Sequence, residues 1–198
     1  MNTIERPSTS ESLLVLAKLG DSDAWTRIST IYGPSVFQLC RLRGLEPNDA
    51  ADVTQDIFIS IYKGLNRFQK TESHHSFMKW VLTISNNGII DFFRRRGKAE
   101  MAFGGEVGQA WADGVVDVSS EVLVEQISLF RQQAATRILA LLEQDFQENT
   151  FFAFYKTAVE HKTAAEAAEE LGMTAGAVRV AKLRVKKRAQ EVYGDLFR

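Results

Sequence analysis

Apolar residues recur along this chain with the spacing of α-helices rather than strands. Val53, Ile57, Ile61 and Leu65 stand four apart, and Trp25, Ile28, Tyr32, Val36 and Leu39 follow the same helical rule. Phe77, Trp80/Val81, Ile84, Gly88 and Phe92 mark a further stripe. No segment shows sustained apolar–polar alternation between turn signals, so strands are not expected. The pattern predicts a first helix opened by the capping box Ser8-x-x-Glu11 and helices over about 23–43, 48–68 and 76–96. Gly33-Pro34 should kink or divide the helix over 23–43, and Ser76 is the expected N-cap of the helix over 76–96. Residues 97–119 carry Gly97, Gly104, Gly105, Gly108 and Gly114 with little periodicity, and read as a linker. Helical spacing then returns over about 121–144, 149–160, 164–171 and 175–192.

Composition narrows the class. The 198 residues carry a formal charge of −1 and a single cysteine, Cys40, which excludes an intramolecular disulfide framework and a cysteine-rich metal site. No apolar run approaches the roughly 20 residues that span a bilayer, and no secretory signal is evident, so a reducing cytoplasm is the expected setting. The near-neutral total hides local clusters. Asp49, Asp52 and Asp56 fall in a stretch without bases, Arg94, Arg95, Arg96 and Lys98 form a basic cluster, and residues 99–125 are acidic with no Lys or Arg. Between Thr174 and Gln190 lie Arg179, Lys182, Arg184, Lys186, Lys187 and Arg188 with no acid. Such patches can meet phosphates even in a neutral protein, although any one of them alone could be a solvated helix face.

The C-terminal segment carries the sharpest local signal. Thr163 with Glu166 forms a capping box, Ala164, Ala167, Ala168 and Leu171 give a small packing face, and Gly172 suits a left-handed helix end. Thr174 can cap the next helix, whose Val178, Ala181 and Val185 fall on an inward stripe while its bases occupy the remaining circumference. This is the pattern of a helix-turn-helix, cationic outside and apolar inside. In the first half, Phe77 and Trp80 open a helix that an arginine cluster closes; aromatics beside bases can stack unpaired nucleotides. Taken alone, their spacing favours a core role. His74 and His75 lack further ligands at metal spacing, and the chain shows no phosphate-cradling loop and no catalytic constellation. No metal, cofactor or enzymatic activity is therefore expected.

Residues 49–68 and 76–96 together resemble the core-binding and promoter-melting domain of extracytoplasmic-function sigma factors of the sigma-70 family, and the segment from Thr163 to Arg188 resembles their helix-turn-helix domain. The resemblance implies an all-α chain of two small domains joined by a flexible acidic linker, with limits 1–97, 98–119 and 120–198. It implies an RNA polymerase sigma factor that binds core polymerase, recognises the minus-10 and minus-35 promoter elements and directs transcription initiation. Asp52, Gln55, Asp56 and Phe58 match the surface that docks on the clamp helices of the largest polymerase subunit. Lys70, His74, Phe77, Lys79, Trp80, Asn87, Arg94, Arg95 and Arg96 match the element that captures and melts the minus-10 strand. Thr174, Arg179, Val180, Lys182, Leu183, Arg184 and Lys187 match the reader of the minus-35 element. The implied partners are core RNA polymerase and promoter DNA, with an anti-sigma factor left open and no membrane. Ser85-Asn86 stands where members often carry Ala-Arg, and Val180-Ala181 where many carry Ser-Arg, so one phosphate contact and one base contact are expected to be missing. The alternative is a conventional helix-turn-helix regulator that binds duplex DNA without polymerase.

Overall fold

In the computed structural model, residues 12–68, 77–96 and 121–197 are described. The helices are α1 (Leu13–Lys18), α2 (Ser22–Leu42), α3 (Pro47–Leu65), α4 (Phe77–Arg95), α5 (Glu121–Asp145), α6 (Glu148–Ala158), α7 (Ala164–Leu171) and α8 (Ala175–Phe197). Among the described residues there is no strand, and none of the helices is long and apolar enough to cross a membrane. The expected Ser8–Glu11 box and the Ser76 cap lie outside the described residues. Contacts divide the chain into two compact units, one built on Ala17–Arg137 and one on Ile138–Asp195.

In the first unit α2, α3 and α4 pack together. The α3 stripe expected from periodicity is the buried one: Val53, Ile57, Ile61 and Leu65 are all at most 3% exposed. Asp21 caps α2, its carboxylate accepting from the Ala24 amide at 2.7 Å. Of the kink or division expected at Gly33-Pro34, the division does not occur: α2 is continuous through Pro34. Thr30 and Pro34 both lie on the exposed face, where water can take the carbonyl that proline leaves unpaired. At the crossing of α3 and α4, a Cβ built on Gly88 would stand 2.7 Å from Ile57 Cγ1. Gly88→Ala should therefore destabilise this unit by about 1–3 kcal/mol through overpacking, despite the better helix propensity of alanine. Urea unfolding with a midpoint equal to the native chain's would show that the crossing has room to spare.

The expected tether, 98–119, lies outside the described residues. The contact division of the described chain falls inside α5, after Arg137, rather than before it. The reason is a set of polar contacts from α5 to α2. Arg137 donates to the Ile31 carbonyl at 3.2 Å and to Ser35 Oγ at 2.8 Å, and Gln133 donates to Gln38 Oε1 at 2.7 Å. Ser35 is itself buried and donates to Gln133 Oε1.

In the second unit α7 and α8 close on α6 around a core of small residues: Ala153, Ala167, Ala168, Val178 and Ala181. Both halves of the Thr163–Glu166 capping box form, and Gly172 ends α7 at φ 63°, the left-handed conformation a side chain disfavours. Thr174 caps α8, its hydroxyl accepting from the Ala177 amide at 3.2 Å. A short turn, Gly172 to Thr174, joins α7 to α8.

Candidate nucleic-acid and partner interfaces

The exposed face of α3 is fixed by what the buried face requires. With Val53, Ile57 and Ile61 turned inward, Asp52, Gln55 and Asp56 are left exposed, as are Ile59 and Tyr62. Ile59 and Tyr62 were not among the residues expected to form this surface. Their signal was available: both fall off the buried i, i+4 stripe, so their apolar atoms must meet solvent or a partner. Tyr62 is braced by Trp25 of α2, ring centroids 5.0 Å apart. Phe58 is half-buried, and its ring lies 4.0 Å from where a Cβ on Gly33 would stand. It therefore packs on α2 as much as it faces outward.

The aromatic cluster at the start of α4 resolves into two roles. Phe77 is wholly buried, edge-on to Tyr32 at 5.7 Å and to Phe68 at 5.6 Å. With no accessible surface in this structure, the Phe77 ring serves packing, the role its spacing alone suggested. Trp80 is half-buried, with its ring 5.0 Å from Phe68 and 5.6 Å from Phe77. Gly64 makes room for the indole, since a Cβ there would lie 3.0 Å from Trp80 Cζ2. The partly open tryptophan thus sits on a rigid aromatic base. Lys70 and His74 lie outside the described residues. Lys79 is half-buried on the same first turn.

Further along α4, Asn87, Arg94, Arg95 and Arg96 are exposed. Asn87 and Arg95 line a groove between α3 and α4 together with Asp56, Lys63 and Asp91. Arg94 pairs with Asp91 at 3.3 Å, a surface contact worth little by itself. Arg96 differs from its neighbours. It forms a two-pronged bond to the Asp49 carboxylate, at 2.8 and 2.9 Å, and its guanidinium lies 4.5 Å from the Phe92 ring centroid. Arg96 ties the end of α4 to the start of α3. Ser85 and Asn86, which replace the expected Ala-Arg, are both wholly buried, so neither side chain can meet a phosphate in this structure.

On α8 the inward stripe is Val178, Ala181 and Val185, all buried. Arg179, Val180, Leu183, Arg184, Lys186 and Lys187 are exposed around it. Lys182, expected among the readers, is half-buried and donates to the Thr157 carbonyl of α6 at 3.1 Å. That bond holds its ammonium against the unit's own framework. Lys187 approaches Glu191 at 3.8 Å, one turn on.

The framework behind α8 is held by an exposed ionic cluster. Glu170 accepts from Lys156 at 2.5 Å and from Lys162 at 2.6 Å. Bonds from the Thr163 hydroxyl and amide hold the Glu166 carboxyl below its ordinary range, and bonds from Lys156 and Lys162 do the same for Glu170. The bond to Glu170 raises Lys162. Depressed carboxyls stabilise the fold above their unfolded values and lose that contribution as pH falls through their folded ones; the raised lysine contributes below its unfolded value and loses it as pH rises through its folded one. The melting temperature of this unit should therefore decline at both extremes, modestly because the groups are exposed. A melting temperature flat from neutral pH to below the carboxylate range would remove the cluster from the unit's stability. The buried Cys40 thiol is pushed up to about 11 by desolvation and packs as an apolar group.

The family model Sigma-70 region 2 matches residues 29–99, which include α3, α4 and most of α2. The chain is 30% identical over 126 residues to the ECF RNA polymerase sigma factor SigW of Bacillus subtilis, covering 59% of this chain and 65% of that protein. It is 31% identical over 98 residues to the RNA polymerase sigma factor NccH of Alcaligenes xylosoxydans xylosoxydans, covering 50% of this chain and 51% of that protein. Residues 29–99 are thus similar to sigma-70 region 2, and the chain is similar to sigma factors of the extracytoplasmic-function type. It spans less than two thirds of the length of each of these relatives. Within the family match lie the exposed α3 face, the aromatic base of Trp80 and the basic end of α4.

Proposed function

We propose that this chain acts as a promoter-specificity subunit of RNA polymerase. In this reading it binds core enzyme through the exposed face of α3, captures the minus-10 strand with the start of α4, and reads the minus-35 element with α8. The single observation that carries the reading is the pairing, in one chain, of a sigma-70 region 2 with a helix-turn-helix whose exposed face bears only cationic and apolar long side chains from Arg179 to Lys187. Asp52, Gln55 and Asp56 would contact the clamp helices of the largest polymerase subunit, with Ile59 and Tyr62 adding apolar area. Trp80, backed by Phe68 and Phe77, would stack on an unpaired base, a contact worth about 1–3 kcal/mol. Asn87, Arg94 and Arg95 would follow the backbone of the same strand. Two weak readers mounted on one enzyme act through effective concentration, so the free chain should hold duplex DNA poorly.

The test is transcription with purified core polymerase on a broad promoter library. Run-off transcripts that depend on the chain and come from a shared pair of promoter elements support the reading. Transcription independent of the chain across the library, together with tight binding of the free chain to a palindromic duplex, would overturn it in favour of a conventional regulator.

A further inference from the structure

Val180 and Leu183 are 66% and 68% exposed on α8, more than most large apolar side chains of the described residues. They are three apart, so they share one face of the helix. The core explains neither: Val178, Ala181 and Val185 already fill the buried stripe. Arg179, Arg184, Lys186 and Lys187 are exposed around them, with no acid between Thr174 and Gln190. A protein-docking patch is depleted of charge at its centre, which this surface is not. Its charge complements a polyanion instead, and an α-helix of this kind fits the major groove of B-DNA.

Neither side chain can donate or accept a hydrogen bond. Among the groups that base edges present in the major groove, the only one that rewards an apolar side chain is the C5-methyl of thymine. Lys182, the basic residue between Val180 and Leu183 in sequence, is bonded to the Thr157 carbonyl. We propose that Val180 and Leu183 form a methyl-reading step on α8, which selects thymine at one or two positions of the upstream promoter element. The neighbouring arginines and lysines supply phosphate or guanine contacts. The step rests on the promoter-reading function proposed above and specifies what that reader recognises.

Promoters selected with the full chain and core polymerase supply the probe. Each thymine of the upstream element is replaced singly by deoxyuridine, which removes the methyl and leaves every hydrogen-bonding group in place. Each lost methyl contact should weaken promoter binding about fourfold, the equivalent of one buried methyl group. At the sensitive positions, 5-methylcytosine in place of cytosine should recover part of the loss seen on changing thymine to cytosine. Leu183→Asn or Val180→Ser should abolish the difference between thymine and deoxyuridine at one position each, while Arg184→Ala should leave that difference intact. Equal binding of thymine and deoxyuridine promoters at every position, with Arg184→Ala still weakening both, overturns the methyl reading and leaves the sigma-factor reading standing. Failure of the chain to direct core polymerase to any promoter removes both.

Discussion

Phe77→Ala should lower the stability of the Ala17–Arg137 unit by about 3–5 kcal/mol, the cost of a large cavity in a packed core. The ring has no accessible surface and touches aromatic partners on different elements: Tyr32 of α2, Phe68 after α3, and Trp80 one turn along α4. Each edge-on or tilted pair adds to the area it buries. Little nearby can collapse into the space, because Tyr32, Met78 and Val81 are themselves fully buried. For a unit whose total stability is of the order of 5–15 kcal/mol, such a loss leaves a substantial unfolded fraction at growth temperature. Urea unfolding followed by near-ultraviolet dichroism should show an earlier midpoint with an unchanged slope. Phe77→Leu, which keeps most of the volume, should recover most of the loss. Trp80→Ala separates packing from function: the side chain is half-buried, so it should cost less stability yet reduce strand opening at a promoter. If Phe77→Ala unfolded at the native midpoint, the ring would not be holding α4 against α2.

Much of this arrangement could be read from residue order. The α3 stripe from Val53 to Leu65 and the α8 stripe from Val178 to Val185 are complete helical repeats with one buried face each, so periodicity identified their inward residues directly. The α7 limits followed from local chemistry, a capping box at Thr163 and a left-handed glycine at 172. What could not be read depends on tertiary surroundings. Phe77 and Trp80 are both aromatics at core spacing, yet one is sealed and the other half-open, a difference set by the elements packed around each ring. Lys182 lies among five other bases in sequence, but a carbonyl on α6 within reach of its ammonium sets it apart. The continuity of α2 through Pro34 likewise turns on which face meets solvent, a property of the packed unit. The grouping of the first part of α5 with α2 rests on Arg137 and Gln133 bonding to partners about a hundred positions earlier, which no local pattern encodes.

Val178→Asp should unfold the second unit under conditions where the first remains intact. Val178 has no exposed surface and sits among Ala153, Ala167, Ala168 and Ala181, a core with no polar side chain to receive a carboxylate. An unpaired charge there must either stay ionised at a cost of several kcal/mol or take up a proton, which raises its pKa well above the ordinary carboxylate range. A core made of alanines has little apolar area to offset the loss, since each methyl contributes only about 0.8 kcal/mol. The sign of the pH dependence follows. With the folded pKa above the unfolded one, the penalty is largest at neutral pH and shrinks as pH falls towards the unfolded value, so acidification should partly restore the variant. Val178→Ala, which only shortens the side chain, should cost less and show no such recovery. Calorimetry of the variant should show the transition of the Ile138–Asp195 unit lost or shifted far down while that of the Ala17–Arg137 unit is kept. A single transition moving as one would instead mean that the two units unfold cooperatively. Because α8 carries the proposed upstream reader, the variant should also lose discrimination between upstream elements while retaining the core-polymerase binding proposed for α3. That combination separates a failure of the reader from a failure of docking.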